Sequence, residues 1–156
     1  MKKPARAKRR KPNNAVITIR GRQYFEDFDD REQIELITDG RFERQGDAYV
    51  IVYDETEVTG LEGTRTTILV ESNNRVTLTR VGDVSSSLVF EQGKRNSGLY
   101  NVEEGDMTLT VDAFKVINRL DDCGGSLFVD YQLELNSQFM SKNNFLIKIK
   151  EARPLT

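Results

Sequence analysis

Arg80 is the residue whose type and position most directly invite chemistry. It follows Val76 and Leu78 at every second position, so in an extended chain its side chain shares a face with that apolar pair. A guanidinium turned toward an apolar interior has to be paired, because an uncompensated buried charge is costly. One reading gives it the carboxylate or phosphate of a bound ligand, gripped by the planar fork. The other pairs it internally with a carboxylate such as Glu55 or Glu103, or lets it snorkel out at a rim. Tyr49, Tyr53, Tyr100 and Tyr131 are the amphipathic residues that would line a cavity beside it. Tyrosine in a strand also serves ordinary cross-strand packing.

The residue types that are missing narrow the chemistry further. The chain has no histidine and a single cysteine, Cys123, which removes Ser-His-Asp and Cys-His catalysis. It equally removes a zinc centre built from imidazole and thiolate. There is no phosphate-binding glycine loop, no dinucleotide fingerprint and no calcium loop, so neither cofactor nor metal is expected. Acidic pairs occur at Asp29-Asp30, Glu103-Glu104 and Asp121-Asp122. Two facing carboxyl groups are what glycoside hydrolysis requires. These pairs all fall in turns or loops, where acidic residues serve solubility and turn formation. Cys123 lies in a turn with no basic residue nearer than Arg119 and is read as inert; one thiol forms no intramolecular disulfide. Binding therefore ranks ahead of catalysis.

The elements that must position these residues are strands. In Ser126–Leu135, SLFVDYQLEL, an apolar residue occupies every second place, the pattern of a strand with one buried face. The same rhythm runs through Ala15–Ile19, Ile34–Phe42, Ala48–Asp54, Thr66–Val70, Val76–Val81, Leu88–Phe90, Leu99–Glu103, Met107–Ile117 and Phe145–Ile149. Gln45-Gly46-Asp47, Asn73-Asn74, Gly82-Asp83, Glu104-Gly105 and Asp121–Gly125 supply the turns. Gly93–Gly98 reads as a polar loop and Asn136–Asn144 as a looser connection. Gly40 marks a bend within its strand, and the apolar phase slips near Ala113, which predicts a bulge. Ala48–Asp54 is apolar on both faces, so each needs cover, from this chain's own loops or from a partner chain.

About ten strands joined by short links must run antiparallel, and no helical stretch is long enough for a crossover. The predicted fold is all-β, a single antiparallel up-and-down barrel, since closure removes the unpaired edges of so wide a sheet. A two-sheet sandwich is the alternative. All three prolines, Pro4, Pro12 and Pro154, sit near the ends, where they interrupt no ladder.

Charge is distributed unevenly along the 156 residues. Seven of the 23 basic residues fall within the first 12 positions, and the remaining 16 face 25 acidic ones, a formal charge near −9 for the body. Residues 1–13 are predicted to be a disordered basic arm, 14–151 the barrel and 152–156 a tail. Lys8, Arg9, Arg10 and Lys11 form the densest part of the arm, suited to nonspecific contact with nucleic acid or an acidic surface. No apolar run approaches the roughly 20 residues of a membrane span. The basic start leads into no apolar signal core, so the cytoplasm is the expected location.

Certain ordered motifs resemble a known family. YVIVYDE at Tyr49–Glu55, Thr66-Thr67-Ile68, VTLTRVG at Val76–Gly82, Phe90, Gly93, Tyr100, Gly105, MTLTVDAFKVINRLDD and GGSLFVDYQLEL are similar to the YwiB-like family of uncharacterised bacterial β-barrel proteins. The likeness spans residues 15–150 and implies a calycin-like, lipocalin-related barrel in a bacterial cytoplasm. It implies no catalytic residues, and the arm lies outside it. The expected function is a non-catalytic binding barrel for a small apolar or anionic ligand. The alternative is an interaction module, self-associating or binding another protein, tethered to nucleic acid by its arm.

Overall fold

In a computed structural model of the chain, residues 12–25, 31–83, 85–102 and 104–152 are described. Ten strands follow one another: β1 Ala15–Tyr24, β2 Arg31–Gln45, β3 Ala48–Asp54, β4 Arg65–Val70, β5 Val76–Val81, β6 Ser85–Phe90, β7 Arg95–Val102, β8 Gly105–Asp121, β9 Gly124–Leu135 and β10 Gln138–Glu151. Each pairs antiparallel with its sequence neighbour, and β1 pairs with β10, closing the ring. The barrel expected from the alternation is therefore the fold, and no helix among the described residues is long and apolar enough to cross a membrane.

Strand parity sorts the side chains. Along β1 the inward positions are Ala15, Ile17 and Ile19, and along β10 they are Phe145, Ile147 and Ile149. Two rows cross β3 to β6 along the hydrogen bonds. Tyr49, Val70, Val76 and Phe90 make the lowest; Ile51, Ile68, Leu78 and Leu88 make the next. Burying an aliphatic side chain of this kind contributes about 1.5–3 kcal/mol, so these rows are the main source of stability.

The predicted bulge is present: the β8–β9 register shifts between Ala113 and Lys115. Phe114 is thrown outward, 53% exposed, and Val116 regains the interior at 7%. The Val116 amide donates to Gln92 Oε1 at 3.0 Å. A second shift falls between Phe139 and Ser141 in β10. β2 bends at Gly40, where a Cβ would stand 2.2 Å from Ile17 Cδ1 and 2.6 Å from the Val52 carbonyl oxygen. Before the bend β2 pairs with β1, and after it with β3.

Two loops are shorter than the sequence implies. β7 begins at Arg95, inside the stretch read as a polar loop, because Arg95–Val102 pairs in unbroken register with β8. β10 begins at Gln138, so Asn136 and Ser137, both at positive φ, form the whole connection. The outward side chains of β3, Val50 and Val52, are 6% and 8% exposed within the single chain. They lie in register with Glu43 and Arg41 on one side and Leu69 and Thr67 on the other. The second face of β3 therefore does not call for a partner.

Candidate functional site

The barrel core is packed solid at one end, where a smaller recess of about 310 Å³ is bordered by Asn14, Phe42, Arg44 and Asp122, and hollow at the other. Turns at 46–47, 71–75, 91–94 and 122–123 lie at the solid end, together with Asn14 and Ala152. There Phe42 and Tyr49 stack with ring centroids 5.3 Å apart. Toward the other end a cavity of about 460 Å³ opens, within the size range of small-molecule sites. It would hold about 15 waters at roughly 30 Å³ each. Tyr131 and Phe145 line it and pack with the fully buried Phe90 in one aromatic cluster, ring centroids 4.7 to 6.0 Å apart. A short 3-10 turn at Glu57–Thr59, N-capped by Thr56, contributes Thr59 to the lining, and the loop after it contributes Leu61.

Polar groups enter this cavity along one row. Tyr53, Thr66, Arg80, Ser86 and Tyr100 are successive register partners across β3, β4, β5, β6 and β7. Tyr53, Arg80, Ser86 and Tyr100 line the cavity. The facing wall is mixed: Leu109, Leu133 and Leu135 on β8 and β9 and Ile19 on β1 are apolar, while Arg22 and Gln23 on β1, Glu32 on β2 and Asn143 and Asn144 on β10 bring polar and charged groups to it. Gly21 contributes no side chain there, and a Cβ at that position would meet nothing within 4 Å.

Both readings of Arg80 have a counterpart in the geometry. Its Nε lies 3.7 Å from Glu55 Oε1, an ion pair too long for a hydrogen bond. That nitrogen is buried without a hydrogen-bond acceptor. The Glu55 side chain is 2% exposed and accepts a 2.6 Å hydrogen bond from Thr66 Oγ1. The Arg80 side chain is 30% exposed, toward the cavity. Burial, followed by the negative charge of Glu55, pushes the Tyr53 hydroxyl well above its usual pKa, against the opposing charge of Arg80. Burial raises Tyr131 to about 12, and Arg80 again acts in opposition. The guanidinium is therefore felt at hydroxyls on β3 and on β9, across the lumen.

Four of the five residues singled out in the sequence, Arg80, Tyr53, Tyr100 and Tyr131, meet around one cavity. Tyr49 does not join them. It shares their inward parity but sits at the solid end, where its hydroxyl donates to Asp122 Oδ1 at 2.8 Å. Lys8, Arg9, Arg10 and Lys11 lie outside the described residues, as do Asp29-Asp30 and Glu103. Asp121-Asp122 occupies the β8–β9 turn, far from the cavity, with Asp122 also facing Arg44 at 3.3 Å. Cys123 is exposed in the same turn.

Sequence reasoning passed over a second polar group. Gln23, Ser141 and Asn143 meet where β1 and β10 reach the rim: Gln23 Nε2 and Asn143 Nδ2 donate to Ser141 Oγ at 3.2 and 3.0 Å. Gln23 and Asn143 line the cavity. The signal was present, since Asn143 is in phase with Phe145 and Ile147, and Gln23 with Ile17 and Ile19.

Comparison with known proteins agrees with this architecture. The crystal structure of the YwiB protein from Bacillus subtilis is similar, with a TM-score of 0.70 at 19% identity, over 90% of this chain and 94% of that one. No curated protein gives a match. The family described as Domain of unknown function (DUF1934) matches residues 17–147, most of the barrel. The chain belongs to that family.

Proposed function

We propose that the barrel is a non-catalytic binding cup for a small amphipathic anion. Its apolar body would lie against Leu109, Leu133 and Leu135, with its acidic group on Arg80. The observation that carries this reading is the state of Arg80. No described residue accepts a hydrogen bond from its guanidinium, yet the group faces a cavity and is held from behind by one buried carboxylate. A bound carboxylate or phosphate completes its donors, and such charge-assisted bonds contribute about 1.5–3 kcal/mol each. Ser86 and Tyr100, beside it in the same row, offer further hydroxyls.

Calorimetric titration with octanoate tests the proposal. The wild-type chain is expected to bind saturably. Arg80→Lys, which keeps the charge but loses the fork, should weaken binding by about tenfold. Glu55→Gln should strengthen it severalfold by removing the competing negative charge. Gly21→Ile, which adds bulk where nothing stands in the way, should abolish binding while leaving the fold intact. Absence of saturable binding by octanoate, phenylacetate and an alkyl phosphate alike would end the proposal.

A further inference from the structure

The ten-strand ring places two polar groups on opposite sides of the cavity. β5, which carries Arg80, and β10, which carries Asn143, are five places apart in either direction around the ring. Strand spacing of about 4.8 Å at a tilt near 40° sets opposite backbone walls about 20 Å apart. Side chains reaching in from both walls shorten that gap by about half. Phe145, Ile147, Leu133 and Leu135 give the space between an apolar lining, with Arg22 and Glu32 also reaching the cavity from β1 and β2.

The two ends differ in what they lack. At β5 the guanidinium has donors without acceptors. At β10 and β1 the amide nitrogens of Asn143 and Gln23 are already turned to Ser141, which is fully buried behind them. That leaves the Gln23 carbonyl oxygen without a partner among the described residues, while Asn143 Oδ1 has only a 3.3 Å contact with Ser141 Oγ. An amide oxygen accepts two hydrogen bonds, so this end presents acceptors that call for a donor.

We infer that the ligand is recognised at both ends: an acid whose apolar middle spans the lumen and whose far end carries a hydroxyl, read by Gln23 and Asn143. The inference rests on the anion-binding reading and adds a requirement to it. An amphiphile with a bare methyl terminus fills the same space but leaves these acceptors unpaired, which is how a polar subsite discriminates.

Paired titrations with octanoate and 8-hydroxyoctanoate separate the two levels. The wild-type chain should prefer the hydroxy acid by about tenfold. Gln23→Met, similar in shape but without the carbonyl, should erase that preference, and Asn143→Leu should do the same. Arg80→Lys should weaken both ligands equally and preserve their ratio. Equal wild-type affinity for the two acids, or a preference that survives both Gln23→Met and Asn143→Leu, overturns the hydroxyl requirement while the anion cup stands. Failure of both acids to bind removes the underlying reading and this one with it.

Discussion

The Arg80–Glu55 pair is asymmetric: the carboxylate is enclosed and the guanidinium only partly so. Removing one partner of such a pair leaves the other without compensation, which is far costlier than the pair's own net contribution. Tyr53 feels both charges of the pair and Tyr131 feels Arg80, so their titration gives a second handle on the interior. The folded pKa of Tyr131 lies near 12, above the ordinary value of 10.0, so between those values the unfolded chain has released a proton that the folded one keeps. Stability should therefore be fully present below pH 10 and decline as pH rises toward 12. Urea unfolding at a series of alkaline pH values should show that decline, and Tyr131→Phe should reduce it, leaving the share that comes from the raised Tyr53 hydroxyl. Parity made Arg80 legible in the sequence, as a polar residue in the apolar phase of its strand. The same rule applied to Gln23, Glu55, Ser86 and Asn143 would have found more of the polar lining, though not Arg22 or Asn144, which lie in the opposite phase of their strands. It misplaced Tyr49, because alternation says which face a side chain takes and nothing about how far along the barrel axis it sits.

Among the elements, β8 shows how one inserted residue resets the phase of every later position in its strand. Phe114 takes up the extra position, so Val116 packs inside although it breaks the phase of Leu109, Val111 and Ala113. Phe114→Ser should change unfolding stability by no more than about 0.5 kcal/mol, as an exposed site does, while Val116→Ala should cost about 1–3 kcal/mol. Equivalent losses at both positions in denaturant titrations would mean the phase does not shift. The bulge was readable because both phases held large apolar residues. The starts of β7 and β10 were not, because Gly93–Gly98 and Asn136–Asn144 are polar and carry no alternation. Their strand character comes from ladder partners on β8 and β9, a long-range cause that local pattern does not contain.

At the scale of the whole molecule, the described chain begins at the end opposite the cavity. Asn14 is fixed there: its side chain exchanges two 2.8 Å hydrogen bonds with the Phe42 backbone, and its amide donates to the Gly40 carbonyl at 3.0 Å. Lys8, Arg9, Arg10 and Lys11 precede Asn14 in the sequence and are the residues expected to attract a polyanion. The full chain should be retained on single-stranded DNA at about 50 mM salt and released by about 200 mM, whereas a 14–156 truncation should pass through. Equal retention of both would remove the arm from consideration. Overall architecture was the most legible property in the sequence, since ten short alternating segments with turn residues between them admit few closures. The size of the cavity was not legible, because it depends on which inward side chains from opposite walls meet.

The seam between β1 and β10 has a practical corollary. The Ala152 amide donates to the Asn14 carbonyl at 3.0 Å, so the two ends of the barrel are bonded neighbours. A brief linker could splice them, and fresh termini could be cut at the exposed Gly46 turn, yielding a circularly permuted protein with the same lumen. Such a rearrangement would carry a reporter domain at the sealed base without crowding the opening above.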